Sequence, residues 1–182
     1  MDIRYLKGVG EKRAAQLAKL ELFTAEDLLQ YYPRDYVDYS QPCTVADAPY
    51  DEKCAVRAVV YGKTNGVRVR GGKTVFKVTA GDDTGSLALT YFNAPYAVEK
   101  LVPGDEYIFY GKVGGTLSMR EMTNPTALPV HSAETEPFAA VYPQTEGINS
   151  AYLSKCIRNA LDKGVTLPEY LPEAMRREFR LA

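Results

Sequence analysis

From Lys53 onward apolar residues fall on every second position, in short runs separated by glycine and aspartate turn signals, and a period of two specifies strands. Ala55-Val56-Arg57-Ala58-Val59-Val60-Tyr61 is the first run. Val67-Arg68-Val69-Arg70 and Thr74-Val75-Phe76-Lys77-Val78-Thr79 flank Gly71-Gly72, a hairpin signal. Asp82-Asp83-Thr84-Gly85 turns the chain into Ser86-Leu87-Ala88-Leu89-Thr90-Tyr91. Residues 95–101 place Tyr96, Val98 and Leu101 on one apolar side of a short helix. Glu106 to Val113 then pairs with Thr116-Leu117-Ser118-Met119 across Gly114-Gly115. These runs, with a helix ahead of the last two, predict a five-stranded OB-fold barrel over residues 53–128.

The flanks read as helical, which makes the fold class mixed α and β. Over residues 1–52, Ala14, Leu17, Ala18 and Leu20 lie at helical spacing from Glu11 onward, and Thr24 with Asp27 caps a second helix ending near Tyr32. Pro33 stops that helix. Ahead of the first helix, Leu6-Lys7-Gly8-Val9-Gly10 resembles a helix-hairpin-helix loop. Gly8 and Gly10 there either expose backbone N–H groups to a phosphate or form a tight turn that lets two helices pack. Over residues 129–182 the chain is loop-like to residue 150. Asn149 or Ser150 then caps a helix through Asp162 with Leu153, Ile157, Ala160 and Leu161 on its apolar face. Leu171, Met175 and Phe179 near the end are left exposed, as in the N-terminal part of something larger.

Composition narrows the chemistry. No apolar run approaches the roughly 20 residues of a membrane span, and the first residues lack the pattern of a secretory signal. Cys43, Cys54 and Cys156 are odd in number and widely spaced, which fits a reducing cytoplasm better than a disulfide framework or zinc. His131 has no partner for metal or triad chemistry and reads as a loop residue. Gly71-Gly72-Lys73-Thr74 is not a phosphate loop, because Val67 stands where that motif needs glycine and strand leads to strand. Asp82-Asp83 reads as a turn. No catalytic constellation, metal or cofactor is expected in this segment.

The net charge is −1, yet residues 53–122 hold 10 Lys and Arg against 6 Asp and Glu. A phosphate backbone feels this local excess, because salt screens charges beyond about 8–10 Å. Within the same stretch Tyr91-Phe92-Asn93-Ala94-Pro95-Tyr96 crowds three rings around an Asn and a Pro. Such rings either stack on nucleic-acid bases or cap the barrel's own core.

Leu6-x-Gly8-Val9-Gly10, Asp27-Leu28-Leu29-x-Tyr31-x-Pro33-Arg34-x-Tyr36, Phe92-Asn93, Gly104, Gly111-Lys112 and Tyr142-Pro143-x-Thr145-x-Gly147, in this order, resemble the N-terminal region of the RecG DNA helicases. The resemblance runs from about residue 5 to the end. It implies a wedge domain that splits duplex arms at replication forks and Holliday junctions, in recombination and repair. By resemblance Phe92 and Tyr96 stack on bases where strands part, and Arg68, Arg70 and Lys73 of the preceding hairpin are expected to touch phosphates. It also implies a helicase motor in cis, using ATP and Mg outside these residues, in the bacterial cytoplasm at the nucleoid. The chain departs from the family at Thr123-Asn124-Pro125-Thr126, where His-Pro-Glu is common, and at Tyr91, where a second phenylalanine is common. The alternative function is a protein-interaction module bracing the motor.

Overall fold

The period-two runs close on themselves. β1 (Lys53–Lys63), β2 (Thr74–Asp82), β3 (Gly85–Phe92), β4 (Glu106–Gly115) and β5 (Met119–Thr123) pair in the order β1-β2-β3-β5-β4, and β4 returns to β1. All these pairings are antiparallel except β3 with β5. This is the OB-fold barrel the sequence predicts. The structure is a computed structural model and describes residues 1–69, 71–116, 119–169 and 171–180. Among them are the helices α1 (Glu11–Leu17), α2 (Ala25–Gln30), α3 (Pro95–Glu99), α4 (Val130–Thr135), α5 (Ser150–Asp162) and α6 (Glu173–Phe179).

Contacts divide the chain into two units, Val37–Ala139 and Met1–Tyr36 with Ala140–Ala182. Residues 37–52 and 129–139 thus fold with the barrel, on either side of 53–128. Val45 and Ala48 enter the barrel core, and Cys43 bonds by its N–H to the Ala55 carbonyl at 2.9 Å.

Alternation sends Val56, Ala58 and Val60 of β1 inward to meet Leu87, Leu89 and Tyr91 of β3. Val98 of α3 and Leu101 just beyond it join the same core. Val67–Arg68 is a two-residue strand beside Val75 and Thr74 and is not a barrel member. Gly71 and Gly72 form the hairpin tip at φ +94° and +75°, a backbone that side chains disfavour. The later turn lies beyond both glycines expected to form it. Gly114 and Gly115 stay in β4 opposite Glu121 and Arg120, and of the two Gly115 takes a positive φ, +86°. Leu117 and Ser118 lie outside the described residues, and β5 begins at Met119 where the expected strand ended.

The stretch expected to be loop-like carries α4 and a short strand, Phe138–Val141, and another short strand, Thr126–Pro129, runs up to its start. Burial decides this: Ala133 of α4 packs with Tyr39, Ala55 and Ile108. His131 is accordingly helical, and exposed as expected of a solvated residue.

In the other unit Leu6, Leu17 and Leu28 pack with Ile148, Leu153 and Cys156. The capping box of α2 is complete: Thr24 Oγ1 accepts the Asp27 N–H at 3.1 Å, and Asp27 Oδ2 accepts the Thr24 N–H at 2.8 Å. Asn149 caps α5 through the Tyr152 N–H at 2.9 Å. Leu161, expected on the buried face of α5, is 58% exposed because it sits about 100° around the helix from buried Ala160. Leu171, Met175 and Phe179 are exposed, as the sequence predicts.

Candidate nucleic-acid interface

The parity of β3 sorts its aromatic pair. Tyr91 follows Leu87 and Leu89 inward and is 2% exposed, while Phe92 ends the strand facing out at 39%. Asn93 then takes a left-handed backbone, φ +52°, which Asn tolerates better than most residues. Its N–H donates to the Thr74 carbonyl at 2.8 Å and its Oδ1 accepts the Thr74 N–H at 2.8 Å. Pro95 opens α3 at a position where a missing N–H costs nothing. Tyr96 follows, 78% exposed. The sequence placed Tyr96 on the apolar side of this helix, but Val98 and Leu101 alone turn into the core. Of the three rings, one fills the barrel and two face solvent.

Two distant side chains hold this loop. Lys63 Nζ donates to the carbonyls of Val98 at 3.0 Å, Glu99 at 3.2 Å and Leu101 at 2.7 Å, gripping the C-terminal end of α3. Asn124 Oδ1 accepts the Phe92 N–H at 2.7 Å. Neither residue was legible as part of the site. The only signal at Asn124 is an Asn before Pro125, a turn signature that names no partner.

The hairpin before the loop shares its support. Arg68 and Lys73 are exposed upon it, and Thr74, tied to Asn93, is its return strand. Arg70 lies outside the described residues. At the hairpin base the Thr64 N–H donates to the Lys77 carbonyl at 2.8 Å, and Thr64 Oγ1 accepts the Lys77 N–H at 3.0 Å. Gly66 is required there, since a Cβ would come within 2.6 Å of Phe76 Cε1.

Gly8 and Gly10 belong to the other unit. Gly8 has φ +86°, and Gly10 precedes α1. The carbonyls of Tyr5, Lys7 and Gly8 are taken by Lys163 at 2.6 Å, Asn159 at 2.9 Å and the Tyr152 hydroxyl at 2.9 Å. The guanidinium of Arg13 lies 4.7 Å from the centre of the Tyr152 ring. The turn therefore has a packing role, docking the N-terminal stretch on α5.

Asp82 is a turn residue, as its sequence context predicts. It accepts from the N–H groups of Val45 at 2.8 Å, Thr84 at 2.9 Å and Gly85 at 3.0 Å, and from the Thr84 hydroxyl at 2.6 Å. Burial raises its pKa, but these bonds outweigh burial and hold it below the ordinary carboxylate value. Cys43, Cys54 and Cys156 are free thiols. Among the described residues no three His, Cys, Asp or Glu groups cluster as metal ligands, and no helix is long and apolar enough to cross a membrane.

Residues 2–164 match the family model of the RecG wedge domain. The chain is 29% identical over 192 aligned residues to the ATP-dependent DNA helicase RecG of Streptococcus pneumoniae, covering 98% of this chain and 26% of that protein. It is 28% identical to RecG of Thermotoga maritima, covering 99% of this chain and 24% of the relative. Among solved structures, RecG bound to a three-way DNA junction superposes at a TM-score of 0.84 with 25% identity, over 100% of this chain and 25% of that one. The chain spans about a quarter of the length of these relatives. With the family model matching residues 2–164 and the OB barrel lying within that span, the chain belongs to the RecG wedge domain family.

Proposed function

We propose that this chain is the branched-DNA binding wedge of a RecG-like ATP-dependent DNA helicase, acting on replication forks and Holliday junctions in recombination and repair. The observation that carries the reading is the pair of exposed rings, Phe92 and Tyr96, on a loop hydrogen-bonded to a basic hairpin. The likeness over the whole chain to RecG bound to a three-way junction supports it.

A base at a branch point has lost a stacking neighbour, and an exposed ring replaces it for about 1–3 kcal/mol per base. Phe92 and Tyr96 are the two rings offered. Arg68, Arg70 and Lys73 supply charge for the phosphates beside them; separately, in the other unit, the turn at Gly8 and Gly10 offers backbone N–H groups to a phosphate in addition to its packing role. The motor follows in cis, holds ATP and Mg, and does the hydrolysis, so the wedge itself turns over no nucleotide. The working compartment is the bacterial cytoplasm.

Fluorescence anisotropy of the 182-residue chain with a three-way fork, a plain duplex and a single strand, at two salt concentrations, tests this. The fork is expected to bind tightest, with affinity falling at a log–log slope near −0.9 per neutralised phosphate. Salt-independent binding would contradict phosphate contact, and equal affinity for all three would contradict branch recognition by this segment.

A further inference from the structure

We propose that Asn124 is a positioning residue for the DNA-stacking ring of Phe92, acting through the main chain; the inference rests on the stacking role proposed above for that ring. The parallel ladder between β3 and β5 ends at the pair Thr90 and Thr123. Beyond it the chain of β5 turns away: Asn124 has φ +46°, and Pro125 follows with no N–H to give. Without a substitute, Phe92 would have no partner on this side. Asn124 supplies one. Its backbone N–H donates to the Thr90 carbonyl at 2.8 Å while its side-chain Oδ1 accepts the Phe92 N–H at 2.7 Å. One residue thus extends the ladder by a step that the backbone of β5 no longer provides.

The opposite flank of Phe92 is already fixed. Phe92 faces Val75 across β2, and the next residue, Asn93, is bonded twice to Thr74. Asn124 closes the remaining side, so the Cα–Cβ direction of Phe92 is set by both neighbouring strands. This matters because the ring projects into solvent and its own packing restrains it only in part. A ring held ready for a base loses less freedom on binding than one that must be ordered by it. The same bond holds the ring in the free protein and in the complex, so its contribution to binding is preorganisation.

Asn124→Gly is the informative substitution. Glycine accepts the left-handed backbone without strain, so the change deletes the acceptor and little else. Asn124→Asp keeps an acceptor and tolerates the same backbone. Three-way junction affinity and the fluorescence of 2-aminopurine placed at the branch are measured for Asn124→Gly in the parent and in the Phe92→Ala background, with melting temperatures as the folding control. Expected is a loss of junction affinity of roughly threefold to tenfold in the parent, with altered stacking fluorescence. In the Phe92→Ala background no further loss is expected, because the ring it positions is gone. An equal loss in both backgrounds, or none in the parent, overturns the proposal. If Phe92→Ala alone leaves junction affinity unchanged, the stacking role itself fails, and this inference falls with it. Asn124→Asp is expected to keep the parent's stacking fluorescence on saturated junction, a readout that does not depend on the affinity lost to its added charge. Stacking fluorescence altered as far as that of Asn124→Gly would also overturn it.

Discussion

Asn93 and Thr74 exchange two hydrogen bonds of 2.8 Å, one through the Asn93 backbone and one through its side chain. The exchange joins the loop carrying Phe92 and Tyr96 to the return strand of the hairpin carrying Arg68 and Lys73. Stacking and phosphate-binding candidates are therefore tied to each other through one residue pair. Asn93→Gly removes the side-chain bond but keeps the left-handed backbone, whereas Asn93→Ala adds about 1–2 kcal/mol of backbone strain. Urea unfolding is expected to rank the alanine variant below the glycine variant, and both below the parent. Equal stability of all three would mean the exchange contributes nothing.

Lys63 grips three carbonyls at the end of α3, the helix that presents Tyr96. Lys63→Met keeps the aliphatic stem and deletes the ammonium. It is expected to cost about 1 kcal/mol in thermal unfolding. Junction affinity is expected to fall less in a Tyr96→Ala background than in the parent, since the substitution acts by loosening that ring's helix.

Tyr91 is the inward ring, and its buried hydroxyl has no hydrogen-bond partner. Burial pushes its pKa up to about 12. Tyr91→Phe removes an unsatisfied polar group while keeping the ring, so it is expected to stabilise the barrel by about 1 kcal/mol, seen as a rise of roughly 2–4 °C in melting temperature. A fall would mean that the hydroxyl is satisfied in solution.

Asp82 ties Val45 to the turn between β2 and β3, and its pKa lies below the ordinary value of 3.8. The unfolded chain therefore binds the proton more readily than the folded one. The stability from the carboxylate is fully present above the unfolded value and is lost as pH falls through the folded one. Asp82→Asn is expected to melt below the parent at neutral pH, with the gap closing in acid below about pH 4. A gap constant across that range would contradict the assignment.

What the sequence revealed was local. The existence of the barrel strands follows from period-two runs and turn residues, and the caps at Thr24 and Asn149 follow from side chains placed three residues from the N–H they accept. What stayed hidden depends on distant contacts. α4 exists because Ala133 finds Tyr39, Ala55 and Ile108, none of them a neighbour in sequence. Gly114 and Gly115 look like a turn on paper, yet pairing with Glu121 and Arg120 keeps both of them in β4. Phe92 and Tyr96 stood out as aromatic loop residues, yet Asn124 and Lys63, which hold them, lie 32 residues from Phe92 and 38 from Leu101. No local pattern links such pairs.

The most direct measurement compares the parent chain with the Phe92→Ala, Tyr96→Ala double variant on a three-way DNA junction and on plain duplex. Both rings are exposed, so the variant is expected to keep the parent's circular dichroism and melting temperature. Loss of one stacked base at each ring, about 2 kcal/mol or more together, predicts junction binding weaker by roughly 30-fold or more, with duplex affinity nearly unchanged. Unchanged junction affinity in a fully folded variant would contradict a stacking wedge at Phe92 and Tyr96.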